Sequence, residues 1–278
     1  MIDRPLARAF VPGHVTGLFT VHRTEDPHTT GSRGAGFTLR DGVTVSVRAA
    51  DETAVSIDGN ESVVEPVRRV LEALDVRAFV DVEADLPVGT GFGLSGGMAL
   101  GTALAANEGF ELGHTENELI RIAHVADVEA GTGLGDVVAQ ARGGIVLRLE
   151  PGAPPHGRLD GIPGRGRVEF LTFGELSTPD VLTAHPETIT RAGTSALESL
   201  RENPTAARFV QTASDFSSEI GLETEAVGSI LDTVEDTGNT ASMAMLGETV
   251  FAFGRALSDA GFDPEVSAID PCGARLLE

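Results

Sequence analysis

Lysine is absent from this chain, and all 20 basic residues are arginine. Three kinds of site depend on a lysine ammonium group: the Gly-x-x-x-x-Gly-Lys-Ser/Thr phosphate loop, the pyridoxal Schiff base and the catalytic centre of protein kinases. The sequence excludes all three. Positive charge at a site therefore has to come from arginine, backbone N–H groups or a bound cation.

Cysteine is almost absent, since Cys272 is the only one. A single cysteine cannot form an internal disulfide bond and cannot supply a cysteine-clustered zinc site. We expect Cys272 to be a small buried residue.

Long apolar runs are also missing from the sequence. No stretch approaches the ~18 residues of a membrane-spanning helix, and residues 1–10 lack the apolar segment of a signal peptide. These absences predict a protein that is not exported and that works in the cytoplasm.

Acidic residues outnumber basic ones by 42 to 20, which gives a formal net charge of −22. So negative a surface disfavours nucleic acid and anionic membranes as partners. A dense carboxylate surface without lysine is typical of a salt-rich cytoplasm, where ions screen the repulsion between carboxylates. We interpret the charge as a sign of a salt-rich habitat and not of mechanism.

The hydrophobic pattern of the 278 residues predicts an α+β protein of two domains. The first half contains short β-rich segments and helices at 63–74, 97–107 and 115–129. The second half is predicted to be mostly helical, and its last helix is placed at 248–260. Because residues 151–166 are rich in Pro and Gly, we expect an N-terminal domain at 1–150 and a C-terminal domain at 151–278.

A glycine-rich segment from Asp85 to Gly101 joins a predicted strand to an apolar helix. Its glycines allow positive φ angles and close backbone approach, so that consecutive N–H groups and the helix dipole can face a phosphate. Ser95 is the only hydroxyl at the helix start. It can cap the helix, bind phosphate or ligate Mg²⁺, and the sequence alone favours capping.

The same segment contains Gly-x-Gly-x-x-Gly, the fingerprint of a dinucleotide-binding Rossmann unit. That fold requires a second strand ending in Asp or Glu about twenty residues later. Residues 97–129 instead predict two helices, and Pro87 favours a shaped loop over a tight strand-to-helix turn. The pattern therefore disfavours a Rossmann fold.

A second polar group surrounds the end of the predicted helix at 115–129. His124 and Asp127 lie three residues apart and share a helix face. Asp136 follows several glycines and precedes the apolar Val137-Val138-Ala139. We expect Asp136 to lie at the mouth of a buried pocket.

Three segments, in this order, resemble the motifs of the GHMP kinases, the family of galactokinase, homoserine kinase and mevalonate kinase. Residues 9–15 resemble the first motif, with His14 where lysine is usual. Residues 87–97 resemble the ATP loop Pro-x-Gly-x-Gly-Leu-Gly-Ser-Ser-Ala, with Leu94 and Gly96 replacing its first serine and its alanine. Residues 241–247 stand where the third motif is expected and depart from it considerably. The departures are similar to those of the archaeal pantoate kinase branch.

This resemblance implies a two-domain GHMP fold and transfer of the γ-phosphoryl group of ATP to a hydroxyl of pantoate, in coenzyme A synthesis. Ser95 and Asp127 would hold Mg²⁺, and the family usually has glutamate at the position of Asp127. Asp136 would accept the proton of the attacking hydroxyl. The residues expected to bind ATP are Pro87, Gly89, Gly91, Gly93, Leu94, Ser95, Gly96 and Gly97.

Pantoate is a small carboxylate, so its site needs a cation and hydroxyl-binding groups. Arg148 can offer a bidentate fork to the carboxylate, and His14 and Ser32 are the candidates for the hydroxyls. Two alternatives stay open: a GHMP kinase for another small hydroxy acid of the mevalonate, homoserine or shikimate type, and a non-enzymatic nucleotide-binding module. A homodimer is a further expectation.

Overall fold

Two β-sheets and the helices packed on them build the molecule, which confirms the α+β class. This computed structural model describes residues 5–175, 186–245 and 247–278. The strands in these ranges are β1 (Ala7–Phe19), β2 (Gly34–Ala49), β3 (Ala54–Ile57), β4 (Asn60–Ser62), β5 (Ala78–Ala84), β6 (Ile145–Glu150), β7 (Arg158–Ile162), β8 (Arg167–Glu175), β9 (Ser242–Ala244), β10 (Gly247–Phe253), β11 (Glu265–Ala268) and β12 (Arg275–Leu277). The helices are α1 (Glu65–Ala73), α2 (Leu94–Gly109), α3 (Glu116–Ala130), α4 (Asp136–Arg142), α5 (Pro186–Glu202), α6 (Ala206–Ile220), α7 (Glu225–Asp236) and α8 (Ala256–Asp259).

The first sheet supports the glycine-rich segment. Its main path runs β12-β1-β2-β5-β3-β4, and β6 and β7 continue from the first part of β2. β2 is long enough to pair with two strands along one edge: residues Gly34–Phe37 pair with β6, and residues Val43–Ala49 pair with β5. A β-bulge interrupts β1 between Pro12 and His14. Such a bulge changes the side-chain alternation locally and re-aims a side chain.

Helix α2 packs unusually close to this sheet because its inward positions are small. A Cβ atom on Gly101 would lie 2.5 Å from Val45 Cγ2, and one on Gly97 would lie 3.3 Å from Val43 Cγ2. α2 is buried on nearly all sides, between the sheet and helices α1 and α3. Its N-terminus is thus fixed against β1 and β2.

The second sheet has the order β11-β8-β10-β9 and is antiparallel throughout. The helix predicted at 248–260 is wrong, because Gly247–Phe253 form the inner strand β10 and only Ala256–Asp259 are helical. Thr249, Val250 and Phe251 are fully buried there. β-branched and aromatic side chains suit such a strand, and this preference prevails over the helical spacing.

Aromatic contacts join the two halves of the molecule. Phe37 of β2 packs on Phe209 of α6 and on Phe251 and Phe253 of β10, with ring centroids 5.0 to 5.9 Å apart. Residues on the far side of the expected boundary also enter the first sheet, since β7 pairs with β6 and β12 pairs with β1. The division at residue 150 stays a prediction.

Cys272 is exposed, so the expectation of a buried cysteine is wrong. It lies in a turn where Asp270 accepts hydrogen bonds from the N–H groups of Cys272 and Gly273, at 2.7 and 3.1 Å. These two hydrogen bonds fix the backbone of the turn, and the Cys272 thiol faces the solvent. No helix in the described ranges is long and apolar enough to cross a membrane.

Candidate active site

Helix α2 begins directly at the glycine-rich loop. Gly93 is its N-cap, with φ of +62°, and no side chain caps the helix. The expectation that Ser95 caps the helix is therefore wrong. Ser95 lies in the first turn, lines the cavity in front of the loop and forms no hydrogen bond within the described residues. Its hydroxyl group is free to meet a ligand.

A cavity of about 710 Å³ opens in front of this loop. Its apolar lining includes Val63, Val64, Pro66 and Met98, and its polar lining includes Ser95, Thr132 and Asp136. The volume lies within the range of small-molecule and cofactor sites. The loop residues that line the cavity are Val88, Gly89, Gly91, Phe92, Gly93 and Leu94.

The segment at 241–247 supports the loop from the second sheet. A Cβ atom on Gly247 would lie 2.0 Å from the Thr90 carbonyl oxygen, and Thr249 Oγ1 donates a hydrogen bond to that oxygen at 2.9 Å. Met245 N–H donates to the Thr16 carbonyl of β1 at 2.8 Å. The segment therefore contacts the loop, although its sequence departs from the expected motif.

Asp136, His14 and Arg148 meet at the inner side of the cavity. Asp136 is the first residue of α4, and its Oδ1 accepts a 2.7 Å hydrogen bond from His14 Nδ1. The other ring nitrogen of His14, Nε2, faces Arg148 Nη1 at 3.5 Å. His14 and Arg148 are buried, whereas the Asp136 side chain keeps 19% of its surface exposed toward the cavity. Of the three, Asp136 lines the cavity.

The electrostatics of this group favour an ionised Asp136 and a neutral His14. Burial lowers the pKa of His14 more than Asp136 raises it. Burial by itself would raise the pKa of Asp136, but the hydrogen bond from His14 and the charges of His14 and Arg148 lower it overall. Neutral His14 then donates through Nδ1–H and presents the Nε2 lone pair to the Arg148 guanidinium.

Asp127 lies beside the first turn of α2 and is also buried. Thr132 Oγ1 donates to its Oδ1 at 2.6 Å, and a Cβ atom on Gly96 would lie 3.2 Å from its Oδ2. Burial raises the pKa of Asp127 to about 7, the Thr132 hydrogen bond opposes that rise, and Asp136 adds to it. A cation would relieve the cost of ionising this carboxyl group.

The side chains of Ser32 and Arg148 both lie beside Gly135. A Cβ atom on Gly135 would be 2.8 Å from Ser32 Oγ and 2.9 Å from Arg148 Nε. Arg148 Nε is buried without a hydrogen-bond partner within the described residues. His124, by contrast, is satisfied by the Thr30 carbonyl oxygen at 2.9 Å.

Sequence reasoning missed two residues of this region. Thr132 holds Asp127, and its position between two glycines after the helix was the only signal. Gln140 is fully buried one helical turn after Asp136. A polar residue within an apolar run was the available signal for it.

Comparison with known proteins identifies the family. The profile of the GHMP kinases N terminal domain matches residues 61–144. A pantoate kinase of Methanocaldococcus jannaschii is 33% identical over 253 residues, covering 88% of this chain and 92% of that protein. A pantoate kinase of Thermococcus kodakarensis is 37% identical over 273 residues, covering 90% and 88%.

Solved structures agree with this result. A phosphotransferase related to the CoA biosynthesis pathway superimposes with a TM-score of 0.86 at 32% identity, covering 97% of this chain and 98% of that one. A homoserine kinase of Cytophaga hutchinsonii shares the fold, with a TM-score of 0.69 at 18% identity over 98% and 97% of the chains. The chain does not form a Rossmann unit, because the strand before the loop, β5, pairs antiparallel with β2, and helices α2 and α3 follow the loop without a strand between them. The chain therefore belongs to the GHMP kinases, which are ATP-dependent enzymes, and within them to the pantoate kinase family.

Proposed function

We propose that this protein transfers the γ-phosphoryl group of ATP to a hydroxyl of pantoate and releases 4-phosphopantoate for coenzyme A synthesis. One observation carries the proposal for an acidic acceptor. The Arg148 guanidinium is buried beside Asp136 and Ser32, and its Nε lacks a hydrogen-bond partner in the described part of the chain. A buried guanidinium group that has an unused Nε–H donor and lies near a carboxylate suits a small substrate that carries both a carboxylate and a hydroxyl.

The lining of the cavity supports the proposal that ATP binds there. The apolar lining residues Val63, Val64, Pro66 and Met98 suit the adenine ring, and the first N–H groups of α2 suit the phosphates. Because Gly93 has a positive φ and α2 has no side-chain cap, these N–H groups are available to an anion. We assign the phosphates to residues 93–96, since the Gly97 N–H donates to the Gly93 carbonyl, and the adenine base to the apolar part of the lining.

Ser95 and Asp127 are the residues that we assign to Mg²⁺. Both carry hard oxygen ligands, and the raised pKa of buried Asp127 fits a carboxyl group that ionises beside a cation. The described residues contain no cluster of three His, Cys, Asp or Glu side chains that could hold a metal ion alone. Nucleotide phosphates would complete the coordination, and Mg²⁺ would neutralise their charge.

Asp136 is the group that we assign to the acceptor hydroxyl. Its lowered pKa keeps it ionised at neutral pH, and its partial exposure directs it into the cavity. Phosphoryl transfer depends mainly on positioning and charge neutralisation, so a weak base in the right place suffices. The buried position of His14 favours a role in orienting Asp136 over direct contact with a hydroxyl, whereas Ser32 stays a candidate hydroxyl ligand.

Two wider expectations belong to the same proposal. The charge of −22 supports a salt-rich archaeal cytoplasm as the working environment. A homodimer is the expected assembly. Analytical ultracentrifugation in molar KCl tests the dimer directly.

An acceptor panel tests the proposed function. ADP release is measured in molar KCl with MgATP and, separately, pantoate, mevalonate, homoserine or shikimate, with Asp136→Asn as the inactive control. We expect turnover with pantoate alone and a loss of at least about 100-fold in the variant. Turnover with another acceptor instead of pantoate would replace the substrate assignment, and no ATP-dependent turnover with any of them would contradict it.

A further inference from the structure

Gln140 links three segments of the active site through one amide group. It lies on α4 one turn after Asp136 and is fully buried. Its Nε2 donates one hydrogen bond to the Pro12 carbonyl and another to the Gly93 carbonyl, both at 3.0 Å. The two hydrogens of a single amide nitrogen thus serve two backbone segments that lie far apart in sequence.

Each of these carbonyl groups belongs to a residue that places part of the site. Pro12 lies at the β-bulge that precedes His14, and Gly93 is the N-cap of α2. His14 N–H in turn donates to the Phe92 carbonyl at 2.8 Å. The bulge, the loop and α4 are therefore joined where Asp136 has to face the phosphates.

Packing alone does not explain a glutamine at this position. Gln140 Oε1 is buried and has no hydrogen-bond partner within the described residues. A buried carbonyl oxygen without a partner is destabilising, whereas methionine would fill a similar volume without that penalty. The function of the side chain therefore lies in its two donated hydrogen bonds.

We propose that Gln140 is a positioning residue for phosphoryl transfer, which fixes the distance of Asp136 and His14 from the N-terminus of α2. The inference rests on the proposed function, since it concerns the same site. Gln140 touches neither the phosphates nor the acceptor in this account. It acts through the backbone at Pro12 and Gly93, and through the helix that carries Asp136.

Steady-state kinetics of Gln140→Met test the proposal. A misplacement of up to about 1 Å reduces catalysis by as much as about 100-fold, so we expect kcat to fall by roughly 10- to 50-fold. The KM values for ATP and acceptor should stay within about threefold, because the binding groups remain. A kcat within about twofold of wild type overturns the proposal. Thr212→Val is the matched control, since its buried hydroxyl donates only within α6.

A double variant separates positioning from general stability. If Gln140 and His14 both act through Asp136, the kcat losses of Gln140→Met and His14→Ala should be far from additive. Additive losses would show independent effects and contradict the proposal.

Amide hydrogen exchange provides a test that requires no acceptor. In Gln140→Asn, which keeps the amide on a shorter side chain, the His14 and Gly97 amides should exchange at least about tenfold faster than in wild type, while those of α6 stay unchanged. Unchanged exchange at both amides would refute the inference. If wild type phosphorylates no acceptor, the proposed function fails, and this exchange result still decides the role of Gln140.

Discussion

His14 stands at a position where the first GHMP motif usually has lysine, which changes the charge next to Asp136. His14 is buried and its pKa is lowered, so it supports Asp136 with a neutral hydrogen bond and not with a fixed charge. The nearest permanent positive charge is Arg148, on the far side of the imidazole ring. In place of a lysine next to Asp136, the site therefore has His14 in contact with Asp136 and Arg148 behind His14.

Loss of His14 should change the pH dependence of catalysis. His14 lowers the pKa of Asp136, so in His14→Ala the Asp136 pKa rises and the ionised base forms only at higher pH. We expect the acidic limb of the kcat–pH profile to move to higher pH. Exposed His156→Ala is the control, and an unmoved limb in His14→Ala would contradict the assigned role of His14.

Ionised Asp127 should destabilise the folded protein when no cation is bound. Its folded-state pKa of about 7 lies above the ordinary value of 3.8, so the folded state is stabilised at low pH and loses that stability as pH rises toward and through 7. Asp127→Asn should therefore be more stable than wild type at pH 8 without Mg²⁺, and much less active. Thermal unfolding at pH 5 and 8 measures the difference, with Asp215→Asn as an exposed control. Equal pH dependence in wild type and Asp127→Asn would disprove it.

Helices and strands could be predicted where the local sequence pattern agrees with the burial of the side chains in the fold. The helix at 115–129 was recognised by its capping box, in which Thr115 and Glu118 bond each other's backbone. The strand β10 was missed because its inner position in the second sheet depends on β8 and β9, which local spacing does not reveal. The candidates His14, Ser95 and Asp136 could be named from their motifs. The contact of His14 with Asp136 spans 122 residues, so no local pattern could reveal it.

The close contact of α2 with the first sheet predicts opposite effects for two helical glycines. Gly101→Ala should destabilise the protein by about 1–3 kcal/mol, because its Cβ would lie 2.5 Å from Val45 Cγ2. Gly228→Ala in α7 should stabilise it by roughly 0.5–1 kcal/mol, because nothing lies within 4 Å of the new atom. Chemical denaturation in molar KCl compares them. A stabilising Gly101→Ala would contradict the packing described for α2.

At the scale of the whole molecule, the excess of acidic residues sets the conditions for folding. The ion pairs between Arg68 and the acids Glu65 and Glu72 are exposed, and such pairs contribute little stability. Repulsion within a net charge of −22 acts over the whole surface. Its range is about 30 Å at 0.01 M salt and about 3 Å at 1 M.

Salt should therefore raise the melting temperature. We expect Tm to increase by at least about 5 °C between 0.05 and 2 M KCl, which corresponds to roughly 2–3 kcal/mol for a protein of this size. Choline chloride at equal ionic strength should reproduce most of the increase if screening is its cause. An unchanged Tm in both salts would refute this interpretation of the surface.

The central claim is phosphorylation of a pantoate hydroxyl by a site built on Asp136, and ³¹P NMR of the product tests it most directly. Wild type with MgATP and pantoate in molar KCl should give a phosphomonoester signal split into a triplet by the two protons of the terminal CH₂ group, and Asp136→Asn should give none. A doublet from the secondary hydroxyl, or inorganic phosphate as the only product besides ADP, would contradict the account.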